Sequence, residues 1–334
     1  MRKIWYLTSF GWLCGTVPVK SPFSPYKFQW ISLSLLYSLA SFIFTLSLNV
    51  DLIVVNNINF LGSGKSVNRT GKLSSQILES TISFYPTINF LLIRLNMLYY
   101  CPEIVELLWK IEFLWGKISS CGIRLRNLKA FNTYLLALLL LCFLLIYNWT
   151  TQEINFHSLI VDSHLETSFR IPSSSGLTYS FFLIGIMFIY CGILFVICFY
   201  TIVGIRLLEI YFGFGEILEA QWRISREGDK PPVVQLDQLI ESFEMIIQSV
   251  NSFNETCGLV TFILIFGHKI TIVAHLCGSF GQGMNRLTGT LGSMCLITLI
   301  CNVGNYIETM VRNVKENVRS AVVNGEARSF SSVK

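Results

Sequence analysis

Six apolar stretches dominate this chain, each about 20 residues or more with almost no charge, which is the length an α-helix needs to cross ~30 Å of hydrocarbon. They run near 29–55, 77–99, 130–149, 176–205, 256–280 and 287–308. A composition of 52% hydrophobic and 13% charged residues agrees, and excludes a soluble globule. The predicted fold class is all-α, a polytopic membrane helix bundle treated as one transmembrane domain over 1–334.

Basic residues between the spans assign the sides, because Lys and Arg are retained in cytoplasmic segments. Arg2, Lys3, Lys20 and Lys27 precede the first span; Lys110, Lys117, Arg124, Arg126 and Lys129 follow the second. Arg206, Arg223, Arg226 and Lys230 follow the fourth, and Arg312, Lys315, Arg319, Arg328 and Lys334 follow the sixth. The intervening segments hold only Lys65, Arg69 and Lys72, then Arg170, then Arg286. Both termini are therefore predicted to be cytoplasmic. The net charge of +5 is largely this cytoplasmic excess, facing anionic membrane lipid rather than nucleic acid.

Arg2 and Lys3 followed by the apolar run from Ile4 to Cys14 have the look of a signal peptide. Cleavage would place the mature N-terminus outside and contradict every later loop, so a short interfacial helix is expected, with Trp5, Tyr6 and Trp12 at headgroup level. Gly15-Thr16-Val17-Pro18 is expected to end it. Two cytoplasmic segments carry helical periodicity of their own. From Pro102 the residues Ile104, Leu107, Leu108, Ile111, Leu114, Trp115 and Ile118 form one apolar stripe across 102–118. Over 233–255 a second stripe is formed by Leu236, Leu239, Ile240, Phe243, Ile246, Ile247, Val250 and Phe253. Helices two and five are thus expected to project into the cytosol and bundle there.

The chemistry-bearing residues do not describe an enzyme. There is no HExxH, P-loop or GxSxG, no paired intramembrane carboxylates and no Cys/His constellation, so neither a cofactor nor a metal is expected. The cysteines fall within spans or on the cytoplasmic side, where thiols stay reduced. A G-protein-coupled receptor is excluded by the inverted orientation and by the lack of Asp-Arg-Tyr and Asn-Pro-x-x-Tyr, and a transporter by the lack of repeated halves. Outer loops are short, and Asn68-Arg69-Thr70 makes Asn68 the candidate glycosylation site. Any small-molecule site would then lie among the outer halves of the helices, where Tyr85, Tyr147, Tyr179 and His275 are the candidate ligand-binding residues. Each tyrosine reads equally as an interfacial anchor. Lys269, near the centre of span five, reads as a functional cation or as a snorkelling one.

At this point the chain resembles the arthropod gustatory receptors, within the seven-helix chemoreceptor superfamily that includes insect odorant receptors. The resemblance rests on the Gly15-Thr16-Val17-Pro18 end of the first helix, the inverted orientation and the cytoplasmic helix extensions. It also rests on Val250-Asn251-Ser252-Phe253-Asn254-Glu255-Thr256-Cys257-Gly258-Leu259 and on Asn305 to Val318 with Glu308 and Arg312. It implies a plasma-membrane chemosensory receptor, a subunit of a homo- or hetero-tetrameric ligand-gated cation channel for small-molecule tastants. The family's seventh-span signature, Thr-Tyr, five hydrophobic residues and Gln-Phe, does not follow the sixth span here. That departure leaves open an incomplete gene product, or a shortened, non-conducting member that modulates related subunits; an odorant receptor is the further alternative.

Overall fold

The structure is a computed structural model that describes residues 2–21, 24–62, 88–120, 133, 136–141, 144, 176–227, 236–277 and 283–331. Residues 77–87 of the expected second span and most of 130–149 lie outside the described residues. Helices are α1 (Arg2–Leu13), α2 (Leu33–Gly62), α3 (Ile88–Tyr99), α4 (Cys101–Ser120), α5 (Gly176–Glu227), α6 (Leu236–Cys277) and α7 (Gly283–Ser331). One antiparallel hairpin, β1 (Val19–Ser21) with β2 (Ser24–Phe28), links α1 to α2 in the register Val19 opposite Phe28 and Ser21 opposite Ser24. This small element is an addition to the helical plan expected from the spans. The chain is a polytopic membrane helix bundle.

Among the described residues three stretches are long and apolar enough to cross a bilayer, Cys191–Ala220, Ile240–Val273 and Leu287–Glu316, with shorter apolar helices at Leu33–Ser47 and Ile88–Tyr99. The helices carrying them far exceed a membrane's thickness. At 1.5 Å per residue α5 is ~78 Å long, α6 ~63 Å and α7 ~74 Å, against ~30 Å of hydrocarbon. Surface composition marks where each leaves the apolar layer. On α6 the exposed residues change from Glu255 to Leu259, on α7 from Cys301 to Asn305 and Glu308, and on α3 and α4 from Tyr99 to Glu103.

Beyond those points α4 and the polar ends of α5, α6 and α7 pack into a four-helix bundle. Its core is the stripe expected for α4: Ile104, Leu107, Leu108 and Ile111 are fully buried, with Leu114 and Ile118 close behind. These meet Leu207, Leu208, Ile210 and Phe214 of α5, and each such burial contributes roughly 1.5–3 kcal/mol in water. Phe214 stacks on Phe243 of α6 at 5.8 Å, and Arg206 lies 4.8 Å over the Trp115 ring. The α6 stripe is narrower than its periodicity suggested. Ile246, Val250 and Phe253 are buried, whereas Ile240 is half-exposed because no described element covers that face.

Proline explains the joint between α3 and α4. Pro102 has no N–H to return to Leu98, so the helix loses one bond and turns at Tyr100. The flanking bonds Tyr100 N–H to Asn96 O and Ile104 N–H to Tyr100 O, both 2.9 Å, keep the two helices in line.

Within the apolar layer, burial from water gives helices no reason to associate, and close approach does instead. Gly204 of α5 faces Val303 of α7, where a Cβ would lie 2.4 Å from Val303 Cγ1. One turn away Tyr200 donates to Ile300 O at 3.4 Å and covers Gly304. Gly204→Val is expected to force α5 and α7 apart at a cost of about 1–3 kcal/mol, from overpacking. Val303→Ala in the same chain should recover most of it. Melting of the detergent-solubilised protein checks both; equal stability of Gly204→Val and wild type would refute the contact.

Candidate functional site

The α1 helix ends in a complete Schellman cap. Gly15, at φ 64°, supplies the left-handed residue; Thr16 N–H returns to Gly11 O and Gly15 N–H to Trp12 O, each at 2.9 Å. The cap leaves the Gly15 carbonyl pointing away from its own helix. Ser38 of α2 donates its hydroxyl to that oxygen, and Arg94 Nη2 of α3 donates to it at 3.0 Å. Three elements thus meet on one carbonyl.

Arg94 is fully buried at the polar-end side of α3. Its Nη2 also donates to Ser41 Oγ and, at 3.4 Å, to Ser38 O, while Phe90 and Phe42 stand 5.5 and 6.0 Å from the guanidinium carbon. Ser41 in turn donates to Ser38 O at 2.9 Å. Among the described residues none of these partners is a carboxylate. The compensation comes from carbonyl oxygens, from ring faces and from the negative end of the α1 dipole, an arrangement worth up to ~2 kcal/mol when partly buried. Arg94 Nε and Nη1 and both ends of the buried Asn96 amide have no hydrogen-bond partner among the described residues.

Around this centre α1 is held on two further sides. Trp12 Nε1 donates to Ser34 Oγ at 3.0 Å, its ring lies 5.8 Å from Tyr37, and Tyr37 donates to Leu13 O at 2.7 Å. Gly11 abuts Phe195 of α5, where a Cβ would come within 2.5 Å of the ring. Trp12 is therefore a docking residue, whereas the sequence suggested a headgroup anchor; Tyr6 remains exposed. Burial pushes the Cys101 thiol up, so it serves as a protonated packing group at the start of α4.

The residues proposed from sequence fare differently. Tyr85, Tyr147 and Asn68 lie outside the described residues. Tyr179 is in the first turn of α5 and His275 in the last of α6, both at the ends remote from the four-helix bundle, but their side chains also lie outside the described residues. Of the ionisable groups in α6, His268 is drawn inward, with Nδ1 2.9 Å from Ser293 Oγ of α7. Lys269 is exposed on the opposite face, among Phe262 and Phe266. The Arg94 centre was missed by the sequence reading; its signal was a lone arginine inside an apolar span.

A family model described as 7tm Chemosensory receptor matches residues 6–321. The chain belongs to the 7tm chemosensory receptor family. No curated protein and no solved structure gives a significant match. In this chemosensory receptor the Arg94 centre ties α1, α2 and α3 together.

Replacing Arg94 with Met is expected to destabilise the receptor by about 1–3 kcal/mol, the scale for losing hydrogen bonds made by a charged group. Arg94→Lys should recover only part of that, because a point donor cannot span Gly15 O, Ser38 O and Ser41 Oγ together. Thermal melting and the yield of monodisperse protein report it, and full stability of Arg94→Met would show that the clasp carries nothing.

Proposed function

We propose that this chemosensory receptor is of gustatory type, a plasma-membrane subunit of a homo- or hetero-oligomeric ligand-gated cation channel that detects small-molecule tastants. The family match across residues 6–321 carries the receptor reading. Support for the gating part comes from α5, α6 and α7, each of which runs unbroken from the apolar layer into the four-helix bundle. A displacement at one end of such a helix is delivered to the other, since packed helices shift as units.

In this reading the termini and the four-helix bundle are cytoplasmic, Asn68 is extracellular and open to glycosylation, and the tastant binds among the outer halves of the helices near Tyr85, Tyr147, Tyr179 and His275. Ligand occupancy favours one of two helix arrangements only through contacts that differ between them. The His268 to Ser293 hydrogen bond, between α6 and α7, is on the path from that region to the bundle.

Glycosylation reporters inserted near residues 70 and 225 test the orientation: modification at the first alone is expected, and modification at the second overturns it. Function is tested by recording tastant-evoked cation currents from cells expressing the chain alone and together with related subunits. Current from the chain alone or only with a relative supports the homo- or hetero-oligomeric channel respectively; ligand binding without current in either setting refutes the channel reading. Tyr179→Phe and His275→Ala are each expected to raise the half-maximal tastant concentration by up to about tenfold, the equivalent of one hydrogen bond of roughly 1.4 kcal/mol. Unchanged dose-response curves would remove both residues from the site.

A further inference from the structure

The end of α1 lies close against α5 because two glycines open the way. Gly11 admits the Phe195 ring, and Gly192 lets Thr16 approach until its Cγ2 stands 3.5 Å from where a Cβ would be. The Phe10 and Phe195 rings add a contact at 6.1 Å. Between Gly11 and Thr16 comes Cys14, and beside Gly192 comes Cys191. Across this interface the Cys14 thiol donates a hydrogen bond to the Cys191 sulfur. Both are free cysteines. A disulfide needs backbones that approach in this way, with Cα atoms no more than about 7 Å apart.

We propose that Cys14 and Cys191 are an oxidisable pair whose disulfide fastens the end of α1 to α5. The pair rests as two thiols, and the oxidant is a hydroperoxide, ROOH, small enough to enter the apolar layer. Cys191 is half-buried and Cys14 buried, so the Cys191 sulfur meets the oxidant first. It attacks the terminal oxygen of ROOH; the O–O bond breaks, the Cys191 thiol proton goes to the departing alkoxide, and a sulfenic acid is left on Cys191 with release of ROH. The Cys14 sulfur, already directed at Cys191, then attacks that sulfur. The S–S bond forms, the S–O bond breaks, and the Cys14 proton leaves with the hydroxide as water. The two thiols give up two electrons and the peroxide accepts both. The bond reaches beyond the pair, because Cys14 precedes Gly15, whose carbonyl holds Ser38 of α2 and Arg94 of α3. Oxidation turns α1 into a covalent strap from α5 to that centre, so that α3 separates from α5 only by giving up the Arg94 bonds. Cys198, further along α5 and also within electrostatic reach of Cys14, is the rival partner. The proposal concerns the packing of α1 on α5 and is independent of ligand and of ion conduction.

The test treats membranes containing the full-length receptor with tert-butyl hydroperoxide, blocks the remaining thiols with N-ethylmaleimide in denaturant, and maps the unreduced peptides by mass spectrometry. The peptides carrying Cys14 and Cys191 are expected joined, at the sum of their masses less two hydrogens, within a species that runs at the mass of one chain and is released by dithiothreitol. Cys14→Ala and Cys191→Ala should each abolish the joined peptide, and Cys198→Ala should retain it. Mapping of the wild type decides the pairing even where a variant fails to fold. Blocked Cys14 and Cys191 after peroxide, or Cys14 joined to Cys198 or to another chain, overturns the proposal. The strap is read from melting of the solubilised receptor: oxidation should raise the melting temperature of the wild type and leave that of Cys14→Ala unmoved. A joined pair without that rise refutes the strap.

Discussion

Backbone polar groups in hydrocarbon have no water to turn to, so every span must close its own hydrogen bonds as a helix. In this receptor that constraint extends past the membrane, because α5, α6 and α7 do not stop where the apolar surface does. Their continuation fixes the positions of three helix ends relative to one another and lets α4 dock among them. Among the described elements, α1, α2 and α4 pack against these rods, and the hairpin packs on α4 and α2.

The two halves of the rods are held together by different forces. Outside the apolar layer, removal of Ile104, Leu108, Leu208 and Ile246 from water drives association as in any soluble four-helix bundle. Inside it the same residues would gain nothing over lipid, and helix contact depends on Gly204 against Val303, on Gly304 beneath Tyr200 and on the His268 to Ser293 bond. The membrane half is consequently the more easily rearranged of the two, and the bundle the more rigid.

What was legible in the sequence follows from how local its cause is. The α4 stripe was readable because burial there is a property of one helix face, and the end of α1 was readable because Gly15, Thr16 and Pro18 determine a cap among themselves. The Arg94 centre was not, since its partners Gly15 and Ser38 are 79 and 56 residues away and only the tertiary fold joins them. Ile240 was overextended from periodicity, which reports a face without reporting whether a neighbour reaches it. The hairpin between β1 and β2 escaped notice because five residues containing Pro25 carry no alternating pattern of useful length. The candidate site was legible only as residue types at an outer depth, which chemistry alone cannot assemble into a geometry.

Arg94 then acquires a significance beyond stability. It stands where α1, α2 and α3 meet and nearly two turns before the Tyr100 joint that leads into α4, so any rotation of α3 must carry the guanidinium away from the Gly15 carbonyl or take α1 along. Three acceptors and two ring faces share one cation, so a displaced guanidinium leaves acceptors unsatisfied unless α1 and α2 move with it. To move such an element from 1% to 99% occupancy, a ligand needs differential binding of about 5.5 kcal/mol, an amount within reach of a few hydrogen bonds and one buried ring. A small ligand can thus supply free energy on the scale that a change of arrangement at such a clasp requires.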